Sequence, residues 1–338
     1  MNARWLWCLL VCAAACPAAV ADDWGPVTIA NREIAPGEER RFTLQGGRSF
    51  EAAFIDVAIF AARGVRSGPT LCVTSAIHGD EVNSVEIARR VFEGVDAKQL
   101  SGTLVVLPAV NSYGFRTKRR NMPDRRDLNR HFPGNLNGSV ASIVANAVFT
   151  GVIKDCSYVV DLHTGSNFRA NLPQIRVDAS VPRALELAKW FGVGIIVSGL
   201  GPEGSLRREA MKLGIPAIIY EAGPPYVFLE DEITRGAEGV ANVMAHLGMT
   251  GSPWSGADAQ MLGNSRWLRV PPGGGGIYLP TIRLGATVER GQLLATVTDP
   301  VTDQVREIRA SESGLVIGMA LPQVVLSGFA LIHVGDVK

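Results

Sequence analysis

Two histidines stand beside acidic residues where predicted strands end, at positions suited to bind a metal ion. His78 and Glu81 lie three residues apart in the segment SAIHGDE, and His163 follows a second strand in VVDLHTG. If the chain turns from strand into helix at Gly79, the first two side chains can converge, and His163 can complete a set of two histidines and one carboxylate. Such a set binds zinc and leaves a fourth position for water, as catalytic zinc sites do.

Each of these residues also has an ordinary structural interpretation. Taken alone, His78 is more often a helix-capping or core histidine, and Glu81 an acid in the first helical turn, where the helix dipole favours it. The joint pattern favours a metal site instead. Asp161 precedes His163 by two residues. In a strand both side chains then point to one face, where the carboxylate can orient an imidazole.

A further acidic residue, Glu221, ends the apolar strand predicted in PAIIYEAG. Burial of a carboxylate beside apolar side chains is costly unless it is paired, hydrated or functional. Facing a metal-bound water, Glu221 can act as a general base and then return the proton to a leaving nitrogen. Without a metal site, a surface glutamate at a strand end is an equally good interpretation.

A long basic loop follows the third predicted strand. It contains the clusters RTKRR at 116–120 and RRDLNRH at 125–131. A run of charges is usually a solvated face, but a loop of this length inside an α/β domain is more often functional. Guanidinium groups bind carboxylates bidentately and can stabilise an oxyanion. The loop therefore predicts recognition of an anion.

The elements that must position these residues indicate an α/β fold. From about residue 50, short β-rich runs alternate with helical patterns, which predicts a mixed, mostly parallel sheet flanked by helices. Ligands of such folds bind where strands end. Beyond residue 256, β-like runs separated by turn residues predict a C-terminal all-β domain of sandwich or barrel form. Besides the helix after His78, helices are predicted over 139–155, 181–191 and 230–247.

Composition excludes several classes of protein. The 338 residues have a formal net charge of +1 and are 47% hydrophobic, which excludes a disordered chain and suggests about two domains. So small a net charge provides no general attraction to nucleic acid or to anionic membrane. We therefore expect no nucleic-acid partner, and function must come from local sites.

The first 21 residues predict a cleaved secretory signal peptide. A basic start precedes the apolar run WLWCLLVCAAA, and the small residues AVA at 19–21 precede two aspartates. The apolar run is shorter than the roughly 18 residues that suggest a membrane span, and a lipid anchor at Cys16 is a weaker alternative. We expect cleavage after Ala21, a secreted or periplasmic protein and no membrane span in the mature chain.

Removal of this segment would leave two cysteines, Cys72 and Cys156. Both lie in apolar contexts typical of strands or helices. A disulfide and a pair of buried free thiols are therefore equally compatible with the sequence. A zinc site made of cysteines is not expected, because neither cysteine has a partner at CxxC spacing.

Four motifs, HGDE, DLNRHFPG, DLHTG and YEAG, occur in this order within roughly residues 50–250. Together they resemble the succinylglutamate desuccinylase/aspartoacylase family, a deacylase branch of the zinc carboxypeptidase fold. The resemblance implies one Zn²⁺ per chain, with His78, Glu81 and His163 as ligands and Glu221 as the general base.

The resemblance also implies roles within the basic loop. Asn129 and Arg130 look like the family's pair that holds a substrate carboxylate, and Arg120 resembles the arginine that polarises the scissile carbonyl. Arg119 is an alternative to Arg120, because the loop up to Asp127 is slightly longer than the family's compact form. The catalytic domain would span 22–255, and residues 256–338 resemble the family's β-rich appendage.

The implied function is that of an exported, zinc-dependent amide hydrolase. It would deacylate an N-acyl amino acid or a related amide that bears a free carboxylate. Because the named activities of the family are intracellular, export implies a different substrate. Two alternatives remain: a metallocarboxypeptidase acting on peptides or cell-wall stem peptides, and a non-catalytic protein that binds zinc or a carboxylate. The acyl group, the amino acid and the oligomeric state are left open.

Overall fold

A computed structural model describes residues 24–48, 54–251 and 259–336. The predicted signal peptide, with Cys8, Cys12 and Cys16, lies outside the described residues. So does the predicted domain boundary between residues 255 and 256. Among the described residues, no helix has both the length and the apolar character needed to cross a membrane.

The described residues form strands and helices in the following order. The first strands are β1 (Val27–Ile29), β2 (Arg32–Ile34), β3 (Glu39–Arg48), β4 (Phe54–Arg63), β5 (Arg66–Ser75), β6 (Ser101–Leu107), β7 (Tyr158–His163), β8 (Arg169–Val177), β9 (Ile195–Ser198) and β10 (Ala217–Gly223). The later strands are β11 (Gln260–Leu262), β12 (Ser265–Arg269), β13 (Gly275–Pro280), β14 (Thr287–Val288), β15 (Leu293–Thr298), β16 (Val305–Arg309), β17 (Gly314–Ala320), β18 (Gln323–Leu326) and β19 (Ala330–Gly335). The helices are α1 (Val82–Glu93), α2 (Ser112–Thr117), α3 (Val140–Gly151), α4 (Pro182–Phe191), α5 (Leu206–Lys212) and α6 (Glu230–His246), and short 3₁₀ turns cover Leu128–Arg130 and Ile153–Asp155.

The predicted mixed sheet flanked by helices is confirmed. Its central strands run parallel in the order β6-β5-β7-β10. Strand β4 pairs antiparallel with β6, β3 pairs antiparallel with β4, and β8 pairs antiparallel with β10. Alternate residues of each strand face opposite sides. Val73 of β5 therefore joins a core with α1, α4 and α6, whereas the adjacent Cys72 joins a second core with α3 and α5.

The C-terminal region is antiparallel β structure, as predicted. Some of its strands extend the large mixed sheet, and the others form a separate sheet. Strand β17 pairs with β8, with Gly318 opposite Asn171, and β19 and β12 continue the same sheet outward. Strands β16, β15, β13 and β18 form a second sheet. Strand β17 covers the first residues of the β8 edge and β9 pairs with its last residues, so backbone groups along this edge have partners.

Several elements near the site were not predicted from sequence, among them β8, α2 and α5. Strand β8 contains Pro173, which argues against a strand in a sequence pattern. Helix α2 has six residues and packs against the turn after β5, where a Cβ atom on Gly79 would lie 1.9 Å from the carbonyl carbon of Gly114. Such a close approach between two backbones requires glycine and is a tertiary feature.

Cys72 and Cys156 form a disulfide, with Cα atoms 5.9 Å apart. Cys72 lies in β5, and Cys156 precedes the neighbouring strand β7, where Val159 is the register partner of Cys72. Both residues are buried. The structure thus decides between the two alternatives that the sequence left open.

Loss of this disulfide is expected to destabilise the fold. The bond joins residues 84 positions apart, and in the chain-entropy account a loop of that size contributes about 4 kcal/mol to the free energy of unfolding. In the double variant Cys72→Ala/Cys156→Ala, the midpoint of thermal unfolding should fall by about 10 °C. Thermal melts with and without reductant test this: reductant should lower the wild-type midpoint and leave the double variant unchanged. Equal midpoints for the two proteins without reductant would contradict it.

Candidate metal centre and active site

The turn after β5 and the end of β7 bring the three predicted metal ligands together. His78 and Glu81 lie between β5 and α1, and His163 ends β7, the strand that pairs with β5. The Glu81 carboxylate lies between the two rings, with Oε1 2.7 Å from His78 Nδ1 and Oε2 2.7 Å from His163 Nδ1. One ligand atom from each residue lies within 4.8 Å of the others, and all three residues are buried.

The other ring nitrogen of each histidine faces a second carboxylate. His163 Nε2 lies 2.9 Å from Asp161 Oδ2, and Thr74 Oγ1 donates to the other oxygen of Asp161 at 2.7 Å. His78 Nε2 lies 3.1 Å from Asp127 Oδ1. Carboxylates in such positions fix the orientation of ligating imidazoles and increase their basicity. Two imidazole nitrogens and one carboxylate are a donor set that suits zinc and leaves a position open, so the residues present fit a zinc ion.

The charges of the cluster lower the pKa values of Glu81 and Asp127. Burial alone would raise the pKa of Glu81, but the two adjacent histidines hold it well below its usual range. Burial likewise opposes a low pKa at Asp127, but His78 and Arg120 lower it strongly. For His163, burial favours the neutral ring, but Asp161 and Glu81 raise its pKa well above the ordinary value.

Asp161 was predicted to orient an imidazole, and its substitution tests that role. Asp161→Asn removes the charge that holds His163 Nε2, so we expect metal affinity or activity to fall by about 10- to 100-fold. Titration against a competing chelator and rates of amide hydrolysis measure the two effects. Asp231→Asn, an exposed aspartate at the start of α6, is the matched control. Unchanged metal affinity and rate in the Asp161 variant would contradict the assignment.

Glu221 lies beside His163. The two residues are register partners in the parallel strands β10 and β7, so their side chains project from the same face of the sheet. Both oxygens of the Glu221 carboxylate are held: Asn171 Nδ2 donates to Oε2 at 2.6 Å, and Arg176 Nη1 lies 3.2 Å from Oε1. These contacts fix a buried, paired carboxylate at the wall of the site.

The C-terminal region supports this arrangement. A Cβ atom on Gly318 of β17 would lie 2.8 Å from Asn171 Oδ1, so a side chain at position 318 would displace the amide that holds Glu221. Trp267 and Arg269 of β12 line the same cavity as the metal cluster. The C-terminal strands thus contribute directly to the site.

A cavity of about 240 Å³ opens over the cluster. The wall of this cavity is rich in arginine. It is lined by His78, Glu81, His163 and Glu221 together with Arg120, Asn129, Arg130, Thr164, Gly165, Ser166, Arg169, Asn171, Arg176, Pro202, Ser205, Ile219, Trp267, Arg269 and Ala330. The three predicted metal ligands therefore line one cavity together with Glu221, Arg120, Asn129 and Arg130. The strong excess of cationic side chains favours an anionic ligand.

Arg120, and not its alternative Arg119, lines this cavity. Arg120 Nη2 donates to Asp127 Oδ2 at 2.8 Å, and its Nη1 lies 3.6 Å from Glu81 Oε1. Arg119 lines only a neighbouring cavity, which Arg120 also lines. The guanidinium of Arg120 is therefore the one held against the metal cluster.

Asn129 and Arg130 lie in the 3₁₀ turn that Asp127 caps, where Asp127 Oδ1 accepts the Asn129 N–H at 2.9 Å. Asn129 is buried, and its Oδ1 accepts the Leu206 N–H at 2.8 Å. The guanidinium of Arg130 is partly exposed and donates to the Asn129 carbonyl at 2.6 Å. Asp127 thus connects the turn to both His78 and Arg120.

Sequence reasoning did not assign functions to Asp127, Asn171, Arg176, Trp267 or Arg269. Asp127 lies inside the DLNRHFPG motif, directly before the residues that were assigned, and that position was a usable signal. The other four lie on β8 and β12, and their approach to the site depends on strand pairing.

Comparisons with known proteins identify the family of this chain. Residues 67–247 match the family model of the succinylglutamate desuccinylase/aspartoacylase catalytic domain. The N-alpha-acetyl-L-2,4-diaminobutyric acid deacetylase of Halomonas elongata is 27% identical over 288 residues, which are 80% of this chain and 83% of that protein.

Solved structures have the same fold. The product-bound ectoine utilization protein EutE (DoeB) of Ruegeria pomeroyi superposes with a TM-score of 0.81 at 24% identity, covering 92% of this chain and 98% of that one. A succinylglutamate desuccinylase from Silicibacter sp. TM1040 gives a TM-score of 0.80 at 22% identity, covering 90% and 97%. Because the matched catalytic domain spans more than half of the sequence and contains all four motifs of the site, the chain belongs to the succinylglutamate desuccinylase/aspartoacylase family of deacylases.

Proposed function

We propose that this chain is a zinc-dependent amide hydrolase that removes the acyl group from an N-acyl amino acid or a related amide with a free carboxylate. The observation that carries the proposal is the convergence of His78, Glu81 and His163 beside Glu221 in one cavity. The relative named as a deacetylase of an acetylated amino acid supports the same class of reaction.

The position of each side chain supports a role in the proposed reaction. A zinc ion held by His78, Glu81 and His163 would supply Lewis-acid activation of water and of the amide carbonyl. Glu221 accepts a proton from the attacking water and returns it to the departing nitrogen. Arg120 donates hydrogen bonds to the oxygen on which negative charge develops.

Recognition of a free carboxylate is the proposed role of Asn129 and Arg130. Their position in the cavity wall supports it, because an amide and a partly exposed guanidinium can both donate to a carboxylate. Arg169, Arg176 and Arg269 add positive charge to the same cavity. An amide with a negatively charged amine portion is therefore the preferred substrate.

Export to an oxidising compartment, with cleavage after Ala21, is also part of the proposal. The disulfide between Cys72 and Cys156 supports it, since such bonds persist in secreted and periplasmic proteins and are rare in the cytosol. The division of the chain into domains 22–255 and 256–338 remains a prediction.

Metal analysis of the purified protein, followed by hydrolysis assays, tests the proposed function. We expect about one zinc per chain and turnover of N-acyl amino acids that stops with chelator and returns with added zinc. Cleavage of peptides but not of acyl amino acids would favour the metallocarboxypeptidase alternative. Bound metal without turnover of any amide would favour the non-catalytic alternative.

A further inference from the structure

We propose that an exposed patch of cationic and aromatic side chains beside the metal site docks the protein onto an anionic lipid membrane. This basic aromatic patch consists of Lys118, Arg119, Arg125, Phe168, Tyr226 and Phe228. The role goes beyond the proposed hydrolysis, in which none of these residues has been assigned a part. Only the encounter with a membrane surface rests on the proposed export.

The members of the patch lie next to one another. Its three cationic residues line a second cavity of about 640 Å³ together with Tyr226, and Arg120 lines both this cavity and the metal site. The ring of Phe168 lies against that of Tyr226, with the two centroids 5.4 Å apart. Phe228 follows Tyr226 by two residues, which places their Cα atoms within about 8 Å of each other. The positive charges and the rings therefore belong to one surface.

The aromatic side chains of the patch are presented to solvent. Phe168 is 53% exposed, Phe228 62% and Tyr226 39%, and clustered apolar exposure of this kind marks an interaction surface. Phe168 and Tyr226 have left-handed backbone conformations, with φ of 54° and 65°, which bulky residues adopt only where surrounding contacts impose them. The Phe168 carbonyl accepts the Leu321 N–H at 2.8 Å, and the Tyr226 N–H donates to the Asp80 carbonyl at 2.9 Å. Backbone contacts thus hold both residues in place.

The charges of the patch are available to a partner. All three cationic side chains are exposed, and within the described ranges none of them has an ion-pair or hydrogen-bond partner. The acidic residues nearest to them along the chain are already engaged, since Asp124 lies 3.5 Å from Arg126 and Asp127 accepts a hydrogen bond from Arg120 at 2.8 Å. Unpaired cations on one surface favour an anionic partner.

The aromatic side of the patch adds little opposing charge. Glu230 and Asp231 follow Phe228 at the start of α6. Glu230 pairs with Arg90 at 2.8 Å, which leaves the exposed Asp231 against the three cations of the patch. The patch is therefore positive, although the net charge of the whole chain is only +1. Attraction to an anionic surface is local, and it turns the patch toward that surface.

A lipid bilayer matches this combination better than a folded protein does. Anionic headgroups attract Lys and Arg side chains, and each cation near such a surface strengthens binding about fivefold. Aromatic rings enter the layer at the level of the headgroups. A bilayer provides both environments and needs no complementary shape, whereas a protein partner must match about 800 Å² of surface. The patch therefore fits an anionic membrane.

Sedimentation with vesicles tests this inference. The protein is the chain from residue 22 onward, so that the apolar leader does not contribute. The vesicles contain equal parts of phosphatidylglycerol and phosphatidylcholine, or phosphatidylcholine alone. We expect binding to the anionic vesicles to be at least about tenfold tighter, and to weaken as salt is added, because exposed charges are screened.

A charge variant shows whether binding arises from the patch. Arg119→Gln/Arg125→Gln should weaken binding to the anionic vesicles by about 25-fold, which is about fivefold for each charge removed. Arg283→Gln/Arg290→Gln removes two exposed charges in the C-terminal region, outside the patch. This matched control should bind as the wild type does.

An aromatic variant tests the apolar part of the patch. Phe168→Asn/Phe228→Asn should weaken binding by about tenfold or more, because two rings no longer leave water, and asparagine tolerates the left-handed backbone at position 168. Val324→Asn/Leu326→Asn, at two exposed positions of β18, is the matched control. Thermal midpoints equal to that of the wild type show that each variant is folded.

Several results would overturn the inference. They are a wild type that does not bind anionic vesicles, equal binding to both kinds of vesicle, and binding that either patch variant retains. A wild-type dimer that Phe168→Asn/Phe228→Asn dissociates, without binding to vesicles, would assign the patch to a second copy of the chain instead. Vesicle binding by a protein that hydrolyses no amide would overturn the proposed function and leave the docking surface in place.

Discussion

Glu221→Gln is expected to lower kcat for amide hydrolysis by about 10²- to 10⁴-fold, the usual contribution of general acid–base catalysis. Glutamine has the same size, and its amide oxygen can still accept a hydrogen bond from Asn171, so the fold should be retained. It cannot take a proton from water, and it has none to return to the leaving nitrogen. Metal content should stay at the wild-type level, because Glu221 is not among the three proposed ligands.

Kinetics and metal analysis of the same preparation distinguish this result from a loss of structure. Glu238→Gln is the matched control, since Glu238 is exposed on α6 and away from the cavity. Its kcat and metal content should equal those of the wild type. If Glu221→Gln binds metal fully and hydrolyses N-acyl amino acids at the wild-type rate, another group is the general base.

Substitution of Glu81 should have the second large effect, this time on metal binding. Glu81 Oε1 lies against the His78 ring and 3.6 Å from Arg120 Nη1. Its Oε2 lies against the His163 ring and accepts the Thr164 N–H at 3.1 Å. In Glu81→Gln, the side chain loses its charge and presents an N–H group to one of the rings. We expect zinc content to fall from about one per chain to near zero, and activity to fall by more than the roughly 100-fold upper range for orienting residues.

Helix α1, which begins directly after Glu81, provides the matched control for this variant. Glu86→Gln changes a partly exposed glutamate of α1, whose carboxylate faces Arg89 and Arg90. It should bind zinc and hydrolyse substrate as the wild type does. Stoichiometric zinc in Glu81→Gln, measured after dialysis against a weak chelator, would show that Glu81 is not a ligand.

Sequence patterns of a few residues were sufficient to predict the proposed metal ligands and the proposed general base. His78 and Glu81 share one turn, so their proximity follows from a spacing of three residues. His163 and Glu221 each end an apolar β-rich segment, and neighbouring parallel strands end at the same edge of a sheet. The register of β7 and β10 agrees with that expectation.

The surroundings of the site depend on contacts between distant parts of the chain. Asn171 and Arg176 reach Glu221 only because β8 pairs antiparallel with β10. Strand β8 could not be recognised from the sequence, because it contains Pro173, and proline argues against a strand. Trp267 reaches the cavity from the C-terminal strands, which continue the sheet beyond β8. Strand order and register of this kind leave no local pattern in the sequence.

The α/β architecture, the family resemblance and the residues proposed to bind metal and transfer protons could all be predicted from the amino-acid order. Alternating hydrophobic patterns and short motifs encode these features within a few residues. Three features became evident only after folding: Cys72 and Cys156 pair, Arg120 and not Arg119 faces the metal cluster, and a basic second cavity adjoins it. Each of these depends on how a long loop or a neighbouring strand packs, because side chains far apart in the chain meet only once the sheet has assembled.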